Sequence, residues 1–252
     1  MSETLTLAAL FFATAALYAS VGHAGASGYL AVMGLFGFAP TVMKPTALAL
    51  NIVVAVVATA RFHRAGLFSW RLFWPFAVVS VPAAFIGGGV AVPARGYKIL
   101  VGLVLLYAAV WMFQSTRGMT EKGATPAALP GTRPPSLWIA LPVGLVIGLL
   151  SGLTGVGGGI FLSPLVLYAG WAETRMMSGV AAPFILVNSI AGLLGHLTSI
   201  QQIPAAIPFW AGAVLLGGWL GATYGSSRAP TTVLRRLLSA VLVIAAVKLI
   251  MF

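Results

Sequence analysis

Long apolar runs recur from one end of the chain to the other, and polar residues are confined to the short gaps between them. A helix that crosses a bilayer needs about 20 predominantly apolar residues. Residues 5–21, 45–60, 72–92 and 99–113 approach that length almost without charge, and 137–153, 176–197, 203–224 and 237–252 repeat the pattern. They predict eight long membrane helices. Two shorter apolar segments, 29–39 and 160–171, each follow a glycine-rich stretch. Only residues 115–135, with Arg117, Glu121, Lys122 and Arg133 among Thr, Gly and Pro, read as a solvated connection. The chain therefore divides into an N-terminal membrane unit (1–115), a linker (116–135) and a C-terminal membrane unit (136–252), with no soluble domain.

Composition fixes the class. Hydrophobic residues make up 60% and charged residues 7% of the 252 positions, which excludes an ordinary soluble domain, where about 25% would be charged. Glu3 precedes the first apolar run and no Lys or Arg does, the wrong flank for a cleaved signal peptide, so that run reads as the first membrane helix. Cysteine is absent, which removes disulfides, thiolate chemistry and cysteine metal sites. The net charge of +11 is dispersed through short loops, where it orients a membrane protein; a nucleic acid partner is not expected. Trp70, Trp74, Trp138 and Trp210 stand near the ends of apolar runs, as interfacial aromatics do.

The two membrane units resemble each other. One offset carries Asn51 onto Asn188, Gly88 onto Gly225, Pro93 onto Pro230 and Lys98 onto Arg235, and a slightly different one carries Gly22 and Gly25 onto Gly155 and Gly158. Each half thus has a glycine-rich break and an intramembrane asparagine. Loop charges set the orientation of the halves, because cytoplasmic loops collect Lys and Arg. If the short segments merely dip into the membrane there are eight passes, with seven basic residues on each side. If they complete a crossing there are ten passes: Arg61, Arg64, Arg71, Arg117, Lys122, Arg133, Arg175, Arg228, Arg235 and Arg236 face one side, and Lys44, Arg95, Lys98 and Lys248 the other. Ten against four is the asymmetry of an inserted protein, so we favour ten passes. The expected fold is all-α: two inverted repeats of about five membrane segments each, eight long helices plus two short ones, with both termini outside the cytoplasm.

Gly155, Gly157, Gly158 and Gly159 cannot continue an ordinary helix in lipid, so they mark a break at which bare backbone meets a substrate. Broken helices at the junction of two repeats hold substrates near the midplane of many transporters. The N–H groups at such a break and the positive end of the next helix suit an anion. Gly22, Gly25, Gly157 and Gly158 supply backbone, and His23, Ser27, Thr46, Asn51, Thr154, Ser163, Ser178 and Asn188 are the polar side chains that complete the shell. A cation would instead need carboxylates; the chain has no Asp and only Glu3, Glu121 and Glu173, all outside the apolar cores. No metal site, cofactor or catalytic residue is expected. His23 and His196 are the obvious titratable groups within the membrane. Gly144, Gly148 and Gly152, at four-residue spacing, read as a helix-packing face.

The motifs VGHAGASGYLAVMGL (21–35), KPTALALN (44–51), FWPF (73–76) and GLTGVGGGIFLSPL (152–165) resemble the TauE/SafE family of sulfite and organosulfonate exporters over nearly the whole chain. The resemblance implies a multi-pass inner-membrane permease that exports small sulfur-containing anions such as sulfite or sulfoacetate; a homodimer is left open. Ala24 and Ala26 stand where the second break has Gly157 and Gly159, so the two half-sites are expected to be unequal. Two rival readings remain. GASG at 25–28 resembles the nucleophile motif of rhomboid proteases, with Ser27 and His196 as a dyad, and a channel for the same anions fits the same sequence.

Overall fold

In lipid the backbone must satisfy its own hydrogen bonds, so long apolar runs fold as helices. The computed structural model describes residues 2–121, 135–197, 204–227 and 232–251, and these form ten helices. The first half contains α1 (Ser2–Ala19), α2 (Ala26–Leu35), α3 (Pro40–Arg64), α4 (Trp70–Gly89) and α5 (Ala94–Glu121). The second contains α6 (Leu137–Thr154), α7 (Gly159–Tyr168), α8 (Thr174–His196), α9 (Ile207–Ser227) and α10 (Thr232–Met251). Helices α3, α4, α5, α6 and α8 are long and apolar enough to cross a membrane. At ten residues each, α2 and α7 are only about 15 Å long, half the thickness of a hydrocarbon core. The first residues of the expected linker are helical, as the end of α5; Lys122, Arg133 and Arg228 lie outside the described residues.

Small residues bring the helices together. A β-carbon on Gly144, Gly148 or Gly152 would lie within 3.0 Å of the carbonyl of Phe76, Ser80 or Ala84, so α6 runs alongside α4 in the same direction with backbones nearly touching. Gly217, Gly221 and Gly225 of α9 do the same to Phe12, Ala16 and Ser20 of α1. The packing face expected at 144–152 is present, and its counterpart on α9 carries the same spacing. The centre of the bundle is α3 against α8, which run antiparallel: Asn51 reaches Ser189 while Leu48 lies against Gly192. Helix α5 packs on α10, α4 on α8 and α3 on α9. Exchanging α1–α5 for α6–α10 maps α1/α9 onto α6/α4, α3/α9 onto α8/α4, and α3/α8 and α5/α10 onto themselves.

The outer faces are apolar, with Phe85, Ile86, Leu103, Val146, Leu216 and Ile244 exposed. Two sequence expectations change here. Trp70, Trp74 and Trp138 are exposed, but Trp210 is buried between Phe11 and Phe38 with its indole N–H directed at the Thr4 carbonyl, so it is a core residue. Lys44, counted as a loop cation, is 4% exposed inside α3, because the helix begins earlier than the apolar run, at Pro40, a residue suited to a first turn. Lys248 likewise folds inward and donates to the carbonyl of Leu35 at the end of α2.

Candidate functional site

Both helices break where the glycines predicted. In the first break Gly22 and Gly25 take φ of 76° and 104°; in the second, Gly155, Gly157 and Gly158 take 84°, 83° and 82°. These left-handed conformations are ones that L side chains adopt at a cost of about 1–2 kcal/mol. Gly25 and Gly158 are the N-caps of α2 and α7, and neither helix start receives a side-chain capping bond. Each break therefore presents first-turn N–H groups and the positive end of a helix dipole.

The two breaks abut. His23 of the first lies 5% exposed with Nε2 3.1 Å from Ser163 Oγ on α7 and Nδ1 3.1 Å from the Val21 carbonyl. A carbonyl only accepts, so Nδ1 carries a proton, and in the neutral ring Nε2 accepts from Ser163. The ring rests against Trp111, and a cavity of about 50 Å³ opens beside it, lined by His23, Ser163, Thr174 and Ser178 with Trp111 and Met177. Ser178 Oγ donates toward the Val21 carbonyl at 2.9 Å and that of Thr174 at 3.0 Å, while Gly22 packs so closely on Ser178 that no β-carbon fits between them. A second gap of about 10 Å³ lies directly between Ala24–Ser27 of one break and Val156 and Ile160 of the other. Gly22, His23, Ser163 and Ser178 thus meet in one place, and Gly25 borders the adjoining gap.

The polar residues around the second break form a neighbouring group. Asn51 Nδ2 donates to the Val156 carbonyl at 3.2 Å and toward Ser189 Oγ at 3.4 Å, leaving Oδ1 buried without a partner. A β-carbon on Gly157 would stand 2.7 Å from that Nδ2. Ser151, beside Gly158, and Thr46 are buried with unpartnered hydroxyls. Thr154 donates to Leu150 in its own helix and takes the Val156 N–H at 3.4 Å, while its carbonyl accepts from Tyr97 at 2.9 Å.

The matched asparagines do not have matched surroundings. Asn188 Oδ1 accepts from Ser80 of α4 at 2.6 Å and its Nδ2 donates to the Phe184 carbonyl, so it ties α8 to α4. The two breaks differ at the equivalent positions as well. Asn51 reaches the second break beside Gly157, whereas the equivalent position in the first is Ala24, which carries a β-carbon and whose φ is not positive. Ser27 and His196 are not brought together: Ser27 donates to Tyr18 at 2.7 Å, and His196 Nδ1 faces the Gly88 carbonyl at 3.3 Å. Sequence reasoning missed Lys44, whose ammonium donates to the carbonyls of Gly88 at 2.8 Å and Gly87 at 3.3 Å, and whose backbone touches Gly155. Its charge was the available signal, obscured by its position at the start of an apolar run.

A bundle of apolar helices in which one broken helix from each half meets the other, with His23 against Ser163, is a polytopic membrane transporter. The chain belongs to the sulfite exporter TauE/SafE family, which matches residues 7–249, and is a multi-pass permease of the inner membrane. It is 42% identical over 249 residues, 99% of both chains, to the probable membrane transporter protein y4hK of Sinorhizobium fredii. It is 29% identical over 197 residues to the probable membrane transporter protein MamO of Magnetospirillum gryphiswaldense, covering 66% of this chain and 31% of that longer protein. The probable membrane transporter protein MJ0441 of Methanocaldococcus jannaschii is 24% identical over 157 residues, 61% of this chain and 55% of its own. No solved structure matches the chain.

Proposed function

We propose that this transporter exports small sulfur oxyanions, sulfite or an organosulfonate such as sulfoacetate, by alternating access of two inverted repeats about the paired breaks. The observation that carries the reading is the approach of two helix starts without side-chain caps, one from each half, across His23 and Ser163. Donors from both sides can replace the water that an oxyanion sheds, and a helix start contributes about 0.3–1 kcal/mol, up to about 2 where partly buried. No carboxylate stands among the candidate site residues to repel it. The name of the family supports export of a sulfur anion.

Packing and charge support the orientation. Equivalent helices α3 and α8 run in opposite directions, as inversion requires. With Lys44 buried, the ten-pass count of loop cations becomes ten against three, a bias that supports a cytoplasmic Arg175 end of α8. The cavity beside His23 lies at that end, next to Thr174 and Met177, where a cytoplasmic anion enters for export.

Thermal unfolding of the purified protein with sulfite, sulfoacetate, taurine, sulfate and chloride tests the reading. A ligand that binds only the folded state at 100 times its Kd stabilises it by about 2.7 kcal/mol. A shift with one sulfur oxyanion and none with chloride is the expected result. No shift with any sulfur anion, together with no flux in liposomes, refutes the proposal.

A further inference from the structure

Lys44 is the one buried charged side chain among the described residues. Burying an ammonium costs several kcal/mol unless it is compensated, and no carboxylate is paired with it among the described residues. The carbonyls of Gly87 and Gly88, at the end of α4, engage two of its three N–H donors. Capping that helix end does not by itself require burial. Exchanging the halves places Arg175 in the equivalent role, donating to the Ser226 carbonyl at the end of α9 at 2.7 Å, and Arg175 does so from an exposed position. Lys44 is instead enclosed between α4, the Gly155 backbone and His196.

His196 has a definite polarity here. Nδ1 faces the Gly88 carbonyl, which only accepts, so Nδ1 carries the proton and the buried, unpartnered Nε2 offers a lone pair. Two N–H donors, the Lys44 ammonium from α3 and His196 Nδ1 from α8, thus share the same carbonyl, and the neutral ring turns its acceptor, Nε2, away from it.

We propose that Lys44 and His196 form a second anion station, at the opposite end of the central helices from the His23 cavity, and that it selects an oxyanion still carrying one proton. Lys44 neutralises the charge, and the ligand's O–H donates to His196 Nε2. Hydrogen sulfite in its O–H form satisfies both groups. A sulfonate, with the same three oxygens and no O–H, leaves Nε2 unpaired. The station rests on the anion-carrier reading above and narrows its substrate class.

The test compares sulfite with methanesulfonate on full-length protein at one pH, by thermal shift and by liposome flux, for wild type, Lys44→Gln and His196→Phe. Lys44→Gln keeps a hydrogen-bond donor and removes the charge. The expected result is a wild-type shift with sulfite that exceeds the shift with methanesulfonate. Lys44→Gln should weaken sulfite about tenfold or more, the scale of one charge-assisted hydrogen bond, and His196→Phe should erase the preference for sulfite. Wild-type affinity and flux in Lys44→Gln overturn the station while leaving the carrier intact. Equal responses to sulfite and methanesulfonate in the wild type overturn the role of His196. Absence of any anion response in the wild type overturns the carrier reading itself. If Lys44→Gln fails to insert, His196→Phe decides alone: an unchanged preference for sulfite overturns the proposal.

Discussion

Replacing Gly157 by alanine puts into the second break the residue that the first already carries at Ala24, and the structure sets the cost. The left-handed φ of 83° penalises any L side chain by about 1–2 kcal/mol. The added methyl would also stand 2.7 Å from Asn51 Nδ2, 2.8 Å from Ile185 Cγ2 and 2.9 Å from Ser189 Oγ, an overlap worth about 1–3 kcal/mol. Gly170→Ala is the control, because φ there is 66° and nothing lies within 4 Å, so it carries the backbone penalty alone. Thermal unfolding of both variants isolates the crowding of Asn51, and sulfite flux in liposomes reads its effect on transport. Gly157→Ala should lose about 2–5 kcal/mol in thermal unfolding and, because the methyl displaces Asn51 from the break, most of its flux per folded molecule; Gly170→Ala should lose only the backbone penalty and transport normally. Wild-type flux in Gly157→Ala would show that the contact between Asn51 and the second break has no part in transport.

Other variants probe separate links. Asn188→Leu strands the buried Ser80 hydroxyl and should cost about 1–3 kcal/mol in thermal unfolding, and the Asn188→Leu/Ser80→Ala pair should recover much of it, because removing both partners of a buried bond is nearly neutral. Ser27→Ala loses only the bond to Tyr18, about 0.5–1.5 kcal/mol, and should retain flux; complete loss of activity with intact folding would revive the protease reading. Gly221→Leu, against the Ala16 carbonyl, should prevent α1 from docking on α9 and abolish the folded species in size-exclusion chromatography, whereas Gly212→Leu, with nothing within 4 Å, should not.

Features set by local composition were legible in the sequence. Apolar runs placed the helices, and the glycines placed both breaks, since each requires only the identity of nearby residues. The inequality of the breaks was readable from Ala24 against Gly157. The turn of Asn188 to Ser80 was not, because it depends on which helix lies across the break. Lys44 and Trp210 were misplaced for the same reason: position along an apolar run indicates depth, whereas burial is decided by neighbours contributed from other helices. The packing glycines of α9 had the same four-residue spacing as those of α6, and the repeat relation could have exposed them.

Whether the second break is part of the transport path is decided by efflux of sulfite from liposomes containing wild-type protein or Gly158→Leu, matched for amount and folding. Gly158 begins α7 at φ 82°, and a side chain there would press on Phe184 and Ile147. Wild-type liposomes should show saturable sulfite flux, unaffected by excess chloride, and Gly158→Leu liposomes none. Equal flux through both proteins would place the break outside that path.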